Sequence, residues 1–259
     1  MSTPYNVDTD EVIQALVAEA VADPDVLGLV LTGSRAIGAV VPESDYDVIF
    51  VVADEALARY GQSHTPPSRG ATITPPISTA DIWNDSPSNL QLGKVEPWML
   101  PAYAEARVLY DRTGETTRLI DALGRMPADQ AQTAIAYWYD AYLNGLYRSL
   151  KAWRRGNELG GRLEAAQTAD YLLHLLFALE RHWRPYSSRL IFHLDKLDHQ
   201  GWRSDELRAI LLDLVGTGDP SRQQVVARRV TALLRERGFG RVYDGWEGQI
   251  DQALAWVFP

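Results

Sequence analysis

The chain has 259 residues, room for one large or two modest domains, and its 46% apolar and 23% charged content is ordinary for a soluble globular protein. With no cysteine it has no disulfide, thiolate metal site or cysteine nucleophile. The net charge of −9 lies in the first half, because residues 1–127 carry 18 acidic and 8 basic side chains and residues 128–259 carry 16 and 17. So acidic a chain is a poor general binder of nucleic acid, which excludes template-directed polymerisation from the expected activities.

Asp8, Thr9 or Asp10 can cap a first helix over residues 11–22, stopped at Asp23-Pro24. Val26 to Thr32 is short, β-branched and followed by glycine, and is expected to be a buried strand. The chain then turns through Gly33-Ser34. Gly33 lets the backbone approach a ligand closely, and a helix beginning at Arg35-Ala36-Ile37 would favour an anion at its free N–H groups. Arg35 could add a charge-assisted bond to a phosphate. A Gly-Ser turn alone can equally be a plain connection.

Asp45-Tyr46-Asp47 runs directly into Val48-Ile-Phe-Val-Val52, a strong strand signal. If that strand begins at Asp45, residues 45 and 47 point the same way. Two carboxylates that close repel unless a cation neutralises them or one is protonated, and Mg²⁺ suits such oxygen donors. The alternative is a solvated strand-entry turn without a metal.

Residues 55–60 suggest a short helix, and the Pro-, Ser- and Thr-rich stretch 61–76 a loop. Asp81 lies inside a predicted strand, Ile77 to Trp83, where an aspartate is disfavoured and a neighbouring strand could bring it beside Asp45 and Asp47. Glu105, near a helix end, and Asp85, in an Asn84–Pro87 turn, are weaker third carboxylates. Ser86-Pro87 is expected to open a helix, Arg107 to Tyr110 to form a last strand, and residues 115–125 another helix. Asp111 is assigned a turn role.

From Pro127 onward no strand is expected. Helices are predicted over residues 128–155, 163–182, 187–199, 204–215, 219–237 and 244–258, with a corner at 156–161. The expected architecture is therefore an α/β (α+β) domain with a small mixed sheet, residues 1–127, followed by an all-α helical bundle, residues 128–259. On the first bundle helix Asp140, Asn144, Tyr147, Arg148 and Lys151 share one face. They read either as a triphosphate clamp, with Lys151 joined by Tyr147 or Arg148, or as a solvated face with an Asp140–Arg148 pair. Tyr137, Trp138, Tyr139 and Tyr142 read as packing residues, and no histidine-based site is expected.

Gly33-Ser34-Arg35-Ala36-x-Gly38 followed by Ser44-Asp45-x-Asp47 resembles the nucleotidyltransferase superfamily typified by DNA polymerase β. Within it the likeness is to small bacterial antibiotic, aminoglycoside-type nucleotidyltransferases and their uncharacterised relatives. The motif covers roughly the first fifth of the chain. The resemblance implies Mg²⁺-dependent transfer of a nucleoside monophosphate, with AMP from ATP the expected case, to a small-molecule hydroxyl, releasing pyrophosphate. It implies that Gly33 and Ser34 hold the triphosphate, that Asp45 and Asp47 hold two Mg²⁺ ions, and that Asp81 completes the metal site or takes the acceptor's proton. It also places basic helical residues such as Lys151 near the phosphates. The expected partners are thus a nucleoside triphosphate and a small acceptor; an acidic surface suits a cationic one such as an aminoglycoside. A homodimer, a protein or RNA-end acceptor, and a non-catalytic nucleotide sensor remain open. No run approaches the ~20 apolar residues of a membrane span and no apolar signal core follows Met1, so the expected location is cytoplasmic.

Overall fold

The computed structural model describes residues 5–41, 44–60 and 82–258, with the side chains of 198–200 set aside. It divides into two compact units, Met1–Arg125 and Met126–Pro259.

The first unit is built on a four-stranded mixed sheet. Helix α1 (Glu11–Ala22) starts where Asp10 Oδ1 accepts the N–H groups of Val12 and Ile13, and buries Val12, Ile13, Leu16 and Ala20 on one face. Strand β1 (Val26–Leu31) leads into a one-turn helix, α2 (Gly33–Ala36), and β2 (Val48–Val52) follows. Next come α3 (Leu57–Tyr60), β3 (Ile82–Asp85), α4 (Leu100–Glu105), β4 (Arg107–Asp111) and α5 (Glu115–Gly124). The strand order is β3-β2-β1-β4, with β1 antiparallel to both neighbours and β2 parallel to β3. Val48 to Val52 are fully buried, as expected of a central strand without polar alternation.

The registers settle which loops share a sheet end. Leu31 pairs with Val48 on one side and Arg107 on the other, and Val48 pairs with Ile82. The exit of β1 and the entries of β2, β3 and β4 therefore lie together. The Gly33-Ser34 turn and Asp45-x-Asp47 both belong to that end.

Two expectations for this unit are corrected. Ser86-Pro87 opens no helix; residues 86–95 form successive turns before a 3₁₀ turn at Pro97–Met99. Asp85 Oδ1 takes the Ser86 N–H, and Asp54 Oδ1 takes the Ser88 N–H, so side chains divert donors that a helix would leave free. Asp85 itself ends β3 rather than sitting in a turn.

The second unit contains only helices and turns among its described residues. Helices α6 (Ala128–Arg154) and α7 (Glu158–Leu179) pack along each other, and α8 (Ser204–Gly216), α9 (Pro220–Glu236), α10 (Gly240–Asp244) and α11 (Gln249–Leu254) close the core. Tyr139, Tyr142, Phe177 and Trp202 are fully buried in it, whereas Tyr137 is exposed. The corner expected over 156–161 is shorter, because Asn157 caps α7 through the Gly160 N–H. Residues 187–199 form two 3₁₀ segments, Ser187–Phe192 and Leu194–Gln200, instead of an α-helix. Of the last predicted helix, 244–258, only Gln249–Leu254 is helical beyond Asp244, which ends α10; Glu247 and Gly248 before it take positive φ values of 49° and 79°. No helix among the described residues is long and apolar enough to cross a membrane.

Candidate active site

Thr32 and Asp47 extend the β1–β2 ladder by one step, since the Thr32 N–H donates to the Asp47 carbonyl at 2.8 Å. Thr32 Oγ1 also reaches that carbonyl, at 3.3 Å, and so does not cap α2. Gly33 follows at φ +73° with the Asp47 carboxylate lying over its α-carbon. The turn and the second aspartate are therefore one local structure. The adjoining Ser34 is half-exposed, and its hydroxyl makes no hydrogen bond among the described residues.

The strand proper begins at Val48, not at Asp45 as the same-face argument required. The alternation nevertheless persists: Asp45 is exposed, Tyr46 buried and Asp47 half-buried. Tyr46 thus points into the unit and the exposed Asp45 away from it, while the Asp47 side chain lies against Gly33. α2 has a single turn, too short for a sizeable macrodipole. Whatever anion affinity the Gly-Ser turn has comes from its backbone N–H groups and the Ser34 hydroxyl.

Arg35 does not extend from the turn as a phosphate contact. Its Nε donates to the Asp45 carbonyl at 2.9 Å, its Nη2 to the Ser44 carbonyl at 3.0 Å, and its Nη1 to Asp10 Oδ2 at 3.3 Å. The guanidinium lies 3.7 Å from the Tyr46 ring centroid. Tyr46 and Tyr5 both donate their hydroxyls to Asp10. Burial, opposed by Arg35 and reinforced by Asp10, pushes the Tyr46 hydroxyl up to about 12.

The other carboxylates separate clearly. Asp81 lies outside the described residues, as does the 61–76 loop. Asp81 precedes Ile82 in the chain as Asp47 precedes Val48, and those two successors are paired. Asp85 pairs with Val51, four residues along β2 from Asp47 and on the order of 13 Å away at strand spacing. Burial raises its carboxyl above the usual range, against the Ser86 N–H and Asn89. Glu105 is buried at the end of α4, two residues before the one paired with Leu31. Asp111 has the turn role expected of it, accepting from the Thr113, Gly114 and Thr117 N–H groups and the Thr117 hydroxyl. Among the described residues no three His, Cys, Asp or Glu side chains converge as a metal cluster.

On α6 the shared polar face is divided. Arg148 pairs with Glu164 of α7 at 2.8 Å, and Asp140 accepts from Trp246 Nε1 at 3.0 Å, so the expected Asp140–Arg148 pair does not form. Tyr147 packs between Trp246 and Trp256 at ring-centroid distances of 6.0 Å. Lys151 Nζ lies 5.4 Å from the Tyr147 ring centroid and has no ion pair among the described residues.

Comparison with known proteins gives a coarse context. A family described as a domain of unknown function, DUF4037, matches residues 94–189, a span that begins after the Gly33–Asp47 region and crosses the division at Arg125. Comparison with curated proteins finds no match. Among solved structures, the chain is similar to a nucleotidyltransferase-like protein from Exiguobacterium sibiricum 255-15. The identity is 12% and the TM-score 0.44, over 93% of this chain and 76% of that one.

Proposed function

We propose that the protein is a nucleotidyltransferase that moves a nucleoside monophosphate from a nucleoside triphosphate, ATP in the expected case, to a hydroxyl of a small molecule. The observation that carries this reading is the seating of the Asp47 carboxylate on Gly33 at the sheet end that also holds Asp45. A phosphate-sized approach to the Gly33-Ser34 backbone would bring its oxygens beside Asp47, and a cation between them would make that arrangement favourable.

The donors fit a hard divalent cation, since they are carboxylate oxygens with no nitrogen or sulfur among them. Asp45 and Asp47 would hold Mg²⁺, which when bound neutralises phosphate charge and activates the acceptor oxygen. Gly33 and Ser34 would orient the triphosphate through backbone N–H groups and the Ser34 hydroxyl. Asp81 is retained as the third carboxylate on its place in the chain, one residue before Ile82. Lys151 is kept as a phosphate contact only because the resemblance to nucleotidyltransferases implies it. Catalysis would come from positioning and charge neutralisation, as in phosphoryl transfer generally.

The test is a calorimetric titration of the full chain with each nucleoside triphosphate, with and without Mg²⁺, followed by a pyrophosphate-release screen over hydroxyl acceptors. Mg²⁺-dependent binding and release, both lost in a folded Asp47→Ala variant, are expected. Turnover retained in that variant would sink the assignment; binding without release by any acceptor would favour a nucleotide sensor.

A further inference from the structure

We infer that Arg35, Asp10 and Tyr46 form a clamp that sets the Asp45-x-Asp47 segment for cation binding, which makes Arg35 a positioning residue rather than a phosphate ligand. This inference rests on the reading proposed above for Asp45 and Asp47, but its geometry is independent of that reading.

The segment needs such a device. Asp45 to Asp47 precede β2, so most of their backbone lies outside the strand ladder. Arg35 supplies the missing backbone bonds. Its Nε and Nη2 hold the carbonyls of Asp45 and Ser44, and the same guanidinium lies over the Tyr46 ring, the residue between the two aspartates. A planar fork with fixed donor directions suits this task, and a lysine could not reproduce it.

Asp10 anchors the fork. One carboxylate receives the Val12 and Ile13 N–H groups, the Tyr5 and Tyr46 hydroxyls and Arg35 Nη1. The Arg35 and Asp10 side chains are only 11% and 9% exposed. The N-terminus of α1 is thereby tied to the aspartate segment through two side-chain links, Tyr46 to Asp10 and Arg35 to Asp10. A guanidinium buried over an aromatic ring and committed to three acceptors has little freedom left to follow a phosphate.

The experiment compares wild type, Arg35→Met, Arg35→Lys and Tyr46→Phe, with Arg59→Met as a control that removes an exposed ion pair in the same unit. Backbone hydrogen exchange across residues 44–48 reports the segment directly, and titration with Mn²⁺ alone, followed by electron paramagnetic resonance, reports cation affinity. In Arg35→Met, faster exchange at Tyr46 and Asp47 and an about tenfold weaker Mn²⁺ affinity are expected, the scale of one lost charge-assisted anchor. Arg35→Lys should restore little of this. Tyr46→Phe, which keeps the ring and loses only the hydroxyl bond to Asp10, should change both readouts in the same direction by a smaller factor, and serves if Arg35→Met does not fold.

Unchanged exchange and Mn²⁺ affinity in a folded Arg35→Met protein would overturn the clamp. So would unchanged exchange with weakened metal-free binding of a nucleoside triphosphate, which would make Arg35 a phosphate ligand. A wild-type chain that binds no Mn²⁺, even with exchange responding as described, would overturn the cation-setting role together with the proposed function.

Discussion

The Asp47 carboxylate rests directly on Gly33. A Cβ built at position 33 would overlap Asp47 Oδ2 and stand 2.8 Å from its Cγ. The backbone imposes a second, independent constraint, because Gly33 has φ +73°, a region that other L-residues enter at a cost of about 1–2 kcal/mol. Gly33→Ala is therefore expected to lower the melting midpoint by roughly 2–8 °C and to displace the Asp47 carboxylate. Under the proposed function it should also reduce pyrophosphate release at least about tenfold, a misplacement effect. Circular dichroism melting and the release assay check the two effects separately. Wild-type behaviour in both would show that the contact constrains nothing.

The α6 face makes an opposing pair of predictions. Arg148 is committed to Glu164 and Lys151 to no carboxylate among the described residues. Arg148→Ala should leave nucleotide KM unchanged within about twofold and cost less than ~1 kcal/mol of stability, as partly exposed ion pairs do. Under the proposed function, Lys151→Ala should leave stability unchanged and raise nucleotide KM about tenfold, the scale of one charge-assisted phosphate contact. The reverse pattern would assign the proposed phosphate contact to Arg148, and an unchanged KM in both variants would remove it from this helix.

What is legible in the sequence depends on how local its cause is. Helix α1 begins and ends where Asp10 and Asp23-Pro24 indicate, since a cap and a stop act within a few residues. β1, β2 and β4 follow from short apolar runs bounded by turn residues. Gly33 and Asp47 can be named together from spacing, although their contact requires the register of β1 against β2. The role of Arg35 is not legible, because its acidic partner lies 25 residues earlier and no local pattern points to Asp10. Residues 86–95 depart from expectation for the same reason, with Asp54 supplying a bond from 34 residues away. The Arg148–Glu164 pair competes with the i,i+8 pairing that helical periodicity offers, and the neighbouring helix wins because it brings the carboxylate within 2.8 Å.

Asp111 offers a stability test free of any functional assumption. It ends β4 and receives four donors from the turn into α5, three of them backbone N–H groups. Burial pulls its carboxyl up, but the Thr117, Gly114 and Thr113 donors outweigh it and the carboxyl is held below its usual value. The bonds therefore stabilise the fold above the unfolded carboxylate value and are lost as pH falls through the lower, folded one. Asp111→Ala should cost about 1–2 kcal/mol, the range of a lost helix cap, read as a lower urea midpoint at pH 7. Asp111→Asn, which can accept but is uncharged, should recover part of it. An unchanged midpoint in Asp111→Ala would show that water replaces these bonds without loss.

His174 gives the helical unit a pH dependence of its own. Its ring stacks on Trp138 at a centroid distance of 4.1 Å and an interplanar angle of 15°. Arg184 lies on the same carboxylate, bonding Asp170 Oδ1 at 2.5 Å, while His174 Nε2 stands 3.8 Å from Asp170 Oδ2. Burial first, and then the Arg184 charge, press the imidazole down to about 4 from its usual 6.5, against the pull of Asp170. As pH falls below 6.5 the unfolded chain takes up this proton before the folded one does. Stability is therefore lost between pH 6.5 and about 4, and becomes flat below that with respect to this group. Each tenfold difference in proton affinity between the folded and unfolded chain corresponds to about 1.4 kcal/mol. With allowance for the ring's partial exposure, the loss is on the order of 2 kcal/mol. His174→Phe keeps a ring against Trp138 and removes the titration. In urea unfolding at pH 7, 5.5 and 4.5 the variant should lose less stability toward acid than wild type does. Equal acid slopes in the two proteins would show that His174 takes up its proton over the same pH range folded and unfolded, so that the acid loss belongs to other groups.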